Sequence, residues 1–86
     1  MDEYTITLAR SARKELEALD ASIVNRIFPK IEKLAENPRP SGCLKLVGEE
    51  DLWRIRIGDY RVIYSINDKL KLVDVTAVRH RREVYQ

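Results

Sequence analysis

Gly58-Asp59 divides the run from Leu52 to Ile66, LWRIRIGDYRVIYSI, into two stretches rich in β-branched and aromatic residues. A pair of this kind between alternating stretches is the turn of a β-hairpin, and a two-residue turn leaves one pairing. Ile57 faces Tyr60, Arg56 faces Arg61, Ile55 faces Val62 and Arg54 faces Ile63. Because successive side chains of a strand point to opposite sides, Trp53, Ile55, Ile57, Tyr60, Val62, Tyr64 and Ile66 share one face. Arg54, Arg56 and Arg61 share the other with Leu52, Ile63 and Ser65. The first is a core face that needs a cover. The second gathers three guanidinium groups, and like charges placed opposite each other in a sheet are each unfavourable by about 0.2–1 kcal/mol, so an anionic partner is expected.

The cover comes from the N-terminal half. Tyr4 to Leu8 alternates like a short strand at or near an edge. Ala12, Leu16 and Leu19 then recur at helical spacing, predicting an amphipathic helix over about Ala9 to Leu19. Asp20 is placed as the N-cap of a second helix, from Ala21 to about Glu36, whose stripe is Ile23, Val24, Ile27, Phe28, Ile31, Leu34 and Ala35. Two helices joined so closely form an antiparallel hairpin that can lie on one side of a sheet. Asn37-Pro38-Arg39-Pro40-Ser41-Gly42 ends the second helix. Leu44 to Val47 is a candidate strand, and Leu70 to Val78 a long one after the turn signal Asn67-Asp68. A two-residue loop there sets Asp74 opposite Arg61 and puts Val73, Val75 and Ala77 on the core face; a three-residue loop reverses the faces. The first register is preferred, since it buries aliphatics and gives Arg61 a carboxylate. The predicted fold is α+β, one domain over residues 1–86, with an N-terminal strand and a two-helix hairpin on one face of a mostly antiparallel sheet.

With 86 residues there is room for a single core, about 60% of the unfolded surface being buried at this size. No apolar run approaches the roughly 18 residues that a membrane span requires, and MDEYTITL lacks the pattern of a signal peptide, so a cytoplasmic location is expected. Cys43 is the only cysteine and His80 the only histidine, which gives no metal-ligand set with recognisable spacing and no internal disulfide. Cys43 reads as a small loop or buried residue. Residues 1–51 hold 8 basic and 10 acidic side chains, residues 52–86 hold 8 basic and 4 acidic ones. The hairpin half is therefore the basic half, the distribution expected of a protein that meets nucleic acid or an acidic protein.

Guanidinium groups grip phosphate bidentately and keep their charge at any working pH, which gives Arg54, Arg56 and Arg61 a common chemistry. The alternative is a solvated face whose arginines pair with Asp59, Asp74 or Glu83. Arg79, Arg81 and Arg82 form a second cluster ending in Tyr85, a combination that can hold a nucleic-acid backbone and stack on a base. His80 is the side chain best suited to proton transfer near neutrality, or else a packing residue pointing away from the arginines. Trp53 and Tyr64 belong to core packing. No nucleophilic serine or cysteine arrangement, paired carboxylates or Gly-rich phosphate loop occurs.

WRIRIGDYRVIYSI followed by VRHRREVY closely resembles the RelE branch of the RelE/ParE toxins of type II toxin–antitoxin systems, and the likeness spans nearly the whole chain. The resemblance implies a compact fold similar to small microbial ribonucleases, with messenger RNA on the sheet side away from the helices. It implies a ribosome-dependent messenger-RNA endonuclease that uses no cofactor and is held inactive by a cognate antitoxin. Arg61 matches the arginine at the scissile phosphate, Arg81 the one proposed to protonate the leaving oxygen, and Tyr85 the tyrosine that orients or stacks on a base. Arg56 joins these as a catalytic candidate, while Arg54, Arg79, His80 and Arg82 are assigned to holding RNA. Arg54 and Arg56 stand where well-known members carry two lysines, one of them proposed as general base. Arginine, with a pKa above about 12, is a very poor base. Either the two act as electrostatic stabilisers or His80, Glu83 or Glu49 takes the proton. Two other readings remain: a ParE-like inhibitor of DNA gyrase, and an RNA-binding module without chemistry.

Overall fold

The turn forms where the alternation places it. In the computed structural model, which describes residues 3–48 and 51–80, β1 spans Thr5–Leu8, α1 Arg10–Glu17, α2 Ala21–Lys33, β2 Leu44–Lys45, β3 Leu52–Ile57, β4 Tyr60–Asn67 and β5 Leu72–His80. The five strands form one sheet in the order β1-β5-β4-β3-β2. Only β1 and β5 run parallel; the other neighbours are antiparallel. The β3–β4 register pairs Ile57 with Tyr60, Arg56 with Arg61, Ile55 with Val62 and Arg54 with Ile63, as predicted. Gly58 has φ +59°, the positive value required at the first central residue of a type II′ turn.

One face of the sheet carries the core. Ala12 and Leu16 of α1 and Ile27, Ile31 and Leu34 of the α2 region pack on Ile55, Val62, Tyr64, Ile66, Val73, Val75 and Val78. Trp53 packs at its margin, under the Arg39 guanidinium 5.0 Å from the ring centroid. Both helices end earlier than their apolar spacing extends, at Glu17 and Lys33. Asp20 stands at the N-cap of α2, but its side chain makes no capping hydrogen bond. Phe28 departs from the predicted stripe: it is 40% exposed and lines an apolar groove between the helices with Leu8, Leu19 and Val24. The next residue, Pro29, lies within α2 and has no N–H to offer the Asn25 carbonyl; both residues are exposed.

The register of β5 differs from the prediction. The connection from β4 takes four residues, Asp68–Lys71, with Lys71 at φ +54° and Asn67 Oδ1 accepting from the Leu70 N–H. Asp74 consequently faces Ser65, not Arg61, and accepts from the Thr7 hydroxyl on β1 at 2.7 Å. A bulge then shifts the register: Tyr64 pairs with Val75 but Ile63 with Ala77, leaving Thr76 as the extra residue. Val73 and Val75 lie on the core face as predicted. Beyond the bulge the faces exchange, so Val78 enters the core and Ala77 falls on the arginine side.

Past Val75, β1 no longer borders β5, and α1 takes its place. The Ala9 N–H donates to the Val75 carbonyl, the Ser11 hydroxyl donates to the Thr76 carbonyl at 2.8 Å, and Glu15 Oε1 accepts from the Val78 N–H at 2.8 Å. Residues four apart on a helix are separated by about 6.0 Å along its axis, and residues two apart on a strand by about 6.6 Å. Ser11 and Glu15 therefore serve the backbone groups of Thr76 and Val78 from one side of α1. Among the described residues no helix is long and apolar enough to cross a membrane.

Candidate nucleic-acid interface

On the sheet side opposite the helices, three arginines stand in one cross-strand row: Arg56 on β3, Arg61 on β4 and Arg79 on β5. Arg54 lies two residues along β3, in the row it forms with Ile63 and Ala77. The Arg56–Arg61 pair follows from the two-residue turn. The third member follows from the bulge, which brings Arg79 beside Arg61 and turns its neighbour over.

The arginines differ sharply in exposure. Arg56 is exposed, Arg54 and Arg79 are half-buried, and Arg61 is only 2% exposed, the one buried charged residue among the described residues. Arg61 is thus held within the sheet surface and is not on a freely solvated face as the alternation alone suggests. Its strand, β4, lies between β5 and β3 in the sheet. A buried cation in a fixed place is already desolvated, which strengthens its pull on an anion that reaches it.

Arg79 is engaged. Its Nε lies 2.6 Å from Glu15 Oε2, an ion pair more than a well-aligned hydrogen bond, with side-chain exposures of 42% and 26%. One carboxylate thus holds the Val78 N–H with one oxygen and Arg79 with the other. The sequence assigns Arg79 to RNA and singles out no partner for it; nothing local reveals a partnership spanning more than sixty residues.

His80 is on the other side of the sheet. It pairs with Tyr60, its ring standing edge-on to the tyrosine at 5.2 Å between centroids. The two line a cleft of about 260 Å³ with Ile23, Arg26, Ile27, Ile57 and Asp59. The assignment of His80 to RNA on the arginine face, and its candidacy as the base there, are therefore corrected: the sheet stands between it and Arg61. The bulge is the reason. Arg81, Arg82, Glu83, Tyr85 and Glu49 lie outside the described residues.

A third cluster, unread in the sequence, ties the loops at the opposite end of the sheet. Arg39 donates to both oxygens of Asp68 at 3.2 and 3.0 Å, and the Tyr4 hydroxyl donates to Oδ1 at 2.6 Å. Arg39, and then Tyr4, hold the Asp68 carboxyl down to about 2. The Tyr64 hydroxyl donates to the Pro38 carbonyl at 2.7 Å, fastening the same proline-rich loop to the core, and burial pushes that phenol well above its ordinary range. Among the described residues no group of three or more His, Cys, Asp or Glu side chains could hold a metal ion.

The arrangement can bind and stabilise negative charge. Arg56 and Arg61 supply donors on one surface.

Residues 6–85 match the family described as ParE toxin of type II toxin-antitoxin system, parDE. A RelE-like toxin protein of Escherichia coli is 32% identical over 95% of this chain and 90% of its own length. The archaeal RelE–RelB complex of Pyrococcus horikoshii OT3 contains a chain superposing with a TM-score of 0.81 at 32% identity, over 92% of this chain and 96% of that one. The isolated E. coli RelE toxin gives 0.79 at 29%, over 95% and 90%.

Proposed function

Because this chain belongs to the RelE/ParE superfamily of toxins of type II toxin–antitoxin systems, we propose that it is an endoribonuclease that cuts messenger RNA on the ribosome. The observation that carries this reading is the row of Arg56 and Arg61 on the sheet face free of helices, with Arg61 almost wholly buried. A cation held out of water acts more strongly than a solvated one on charge that develops on a phosphate.

The RNA's own 2′-hydroxyl attacks the adjacent phosphorus; its proton leaves, the bond to the 5′-oxygen breaks, and that oxygen takes up a proton. The products are a 2′,3′-cyclic phosphate and a 5′-hydroxyl, formed without a divalent ion at the reacting centre. Arg61 and Arg56 neutralise the pentacovalent phosphorane, and Arg54 holds the neighbouring backbone. Arg81 as the acid at the leaving oxygen and Tyr85 at a base are carried over from the resemblance, with Arg82 holding RNA. His80 is removed from the candidates for the base, which leaves Glu49 and Glu83, or rate acceleration by positioning alone. The ribosome supplies the geometry that so small a surface does not. A cognate antitoxin restrains the protein, as the archaeal RelE–RelB complex suggests by its composition. An acidic or amphipathic segment suits the basic face.

Cleavage of messenger RNA on stalled ribosomes, with the ends mapped, tests the reading. Fragments with 5′-hydroxyl ends support it, and 5′-phosphates overturn it. A second reading, inhibition of DNA gyrase, is favoured by the ParE description of the matching family. Loss of gyrase supercoiling with translation intact would select it.

A further inference from the structure

The carboxylate of Glu15 touches the arginine row at Arg79, and it does two things at once. It accepts the Val78 N–H at 2.8 Å and faces the Arg79 guanidinium at 2.6 Å. Ser11, one helical turn earlier, holds the Thr76 carbonyl, so α1 anchors the bulged segment at two successive backbone groups. Arg79 stands directly opposite Arg61, close enough to share any phosphate that Arg61 binds. A side chain half-buried and paired to a carboxylate gives up that contact only with loss of a charge-assisted interaction.

We propose that Glu15 is a positioning residue which withholds Arg79 from the anion, so that the functional row is Arg56 and Arg61, with Arg79 fixed as its border. Glu15 sets the charge that the face presents and fixes the exit of β5 on the arginine side. The identity of the anion as RNA rests on the nuclease reading; the restraint of Arg79 does not.

The experiment compares Glu15→Gln, Glu15→Ala and the double variant Glu15→Gln/Arg79→Gln with the full-length protein. Glu17→Gln, an equal change of charge on the same helix at an exposed position, is the control. The readout is the salt dependence of binding to a twelve-nucleotide single-stranded RNA, which for single strands falls by about 0.7 in log–log slope per phosphate neutralised. Glu15→Gln is expected to steepen the slope by about 0.7 relative to Glu17→Gln, and the double variant to return it. Hydrogen exchange at Val78 follows the backbone contact: Glu15→Ala accelerates it about tenfold or more, while Glu15→Gln, which keeps an accepting oxygen, retains most of the protection. Equal slopes for Glu15→Gln and Glu17→Gln, or a steep slope persisting in the double variant, overturn the restraint of Arg79. Unchanged Val78 exchange in Glu15→Ala overturns the anchoring of β5. If the unaltered protein shows no affinity for the free RNA, the same comparison of slopes on heparin decides the role of Glu15, and cleavage on stalled ribosomes separately decides the nuclease reading.

Discussion

Strand β4 has a different kind of neighbour on each side. Toward β3 the pairing is set by two residues, Gly58 and Asp59, and runs without interruption from Ile57/Tyr60 to Leu52/Ser65. Toward β5 it begins at a four-residue connection, breaks at Thr76, and is held past that point by side chains of α1. The first pairing is local and would survive transfer to another protein; the second depends on a helix more than sixty residues away. Both supply arginines to one row, so the site is half dictated by a turn and half by tertiary packing.

Inserting an alanine between Ala77 and Val78 tests the second pairing most severely. The added residue takes the position opposite Val62 and the faces of Val78 and Arg79 exchange, turning an arginine toward the core side, where an unpaired buried charge costs several kcal/mol after relaxation. That is comparable to the whole stability of a small domain, about 5 kcal/mol at the lower end. We expect the insertion to abolish cooperative unfolding in urea followed by circular dichroism. A sharp transition near that of the unaltered protein would show that β5 absorbs the extra residue without turning over.

The same contrast explains what the sequence disclosed. Alternation about Gly58 fixes which residues of β3 and β4 face the helices, because a two-residue turn admits one register. For β5 the same alternation correctly places Val73 and Val75 and then misplaces Ala77, and the assignment of His80 to the arginine face fails with it, since a bulge has no local signature in VDVTAVRH. The burial of Arg61 was also illegible. Strand parity assigns a side chain to a face and says nothing of how deeply its neighbours cover it.

Arg61 sits on the strand common to both pairings, and a substitution there separates chemistry from folding. Truncating a buried side chain leaves a hole, whereas an apolar side chain of similar length fills the space. Arg61→Met is therefore expected to stay folded, as its urea transition checks, while slowing cleavage on ribosomes about a hundred- to a thousandfold, as for loss of one oxyanion donor. Wild-type cleavage in a folded Arg61→Met protein would remove Arg61 from the chemistry.

The local pairing is tested at its turn. At φ +59° an added Cβ strains the backbone and would lie 3.1 Å from Arg26 Nη2, the movable end of a side chain. Gly58→Ala is expected to cost about 1–2 kcal/mol, nearly all of it backbone strain, seen as a lower urea midpoint with unchanged slope. A loss no smaller in the double variant with Arg26→Ala would agree with that origin. Full recovery would assign the cost to the contact.

The smallest effect belongs to the turn of the second pairing. Asp68 is held down to about 2 in the folded protein by Arg39 and Tyr4. A depressed carboxyl contributes stability that is present above its unfolded value, near 3.9, and is lost as pH falls through that value toward 2. The melting temperature of the unaltered protein should fall more steeply between pH 4 and 2 than that of Asp68→Asn, with the difference shrinking in high salt because the group is exposed. Parallel curves would show that the clamp contributes nothing to stability.

The order β1-β5-β4-β3-β2 sets the earliest described strand beside the latest. Thr5–Leu8 and the Ser11–Glu15 side of α1 have no edge to rest on until Leu72–His80 has been made, whereas β3 and β4 can pair as soon as both exist. For a protein proposed to act on ribosomes this is a matter of timing: the nascent chain emerges with its arginine row unfinished, and the sheet closes only after Leu72–His80 has left the ribosome that makes it.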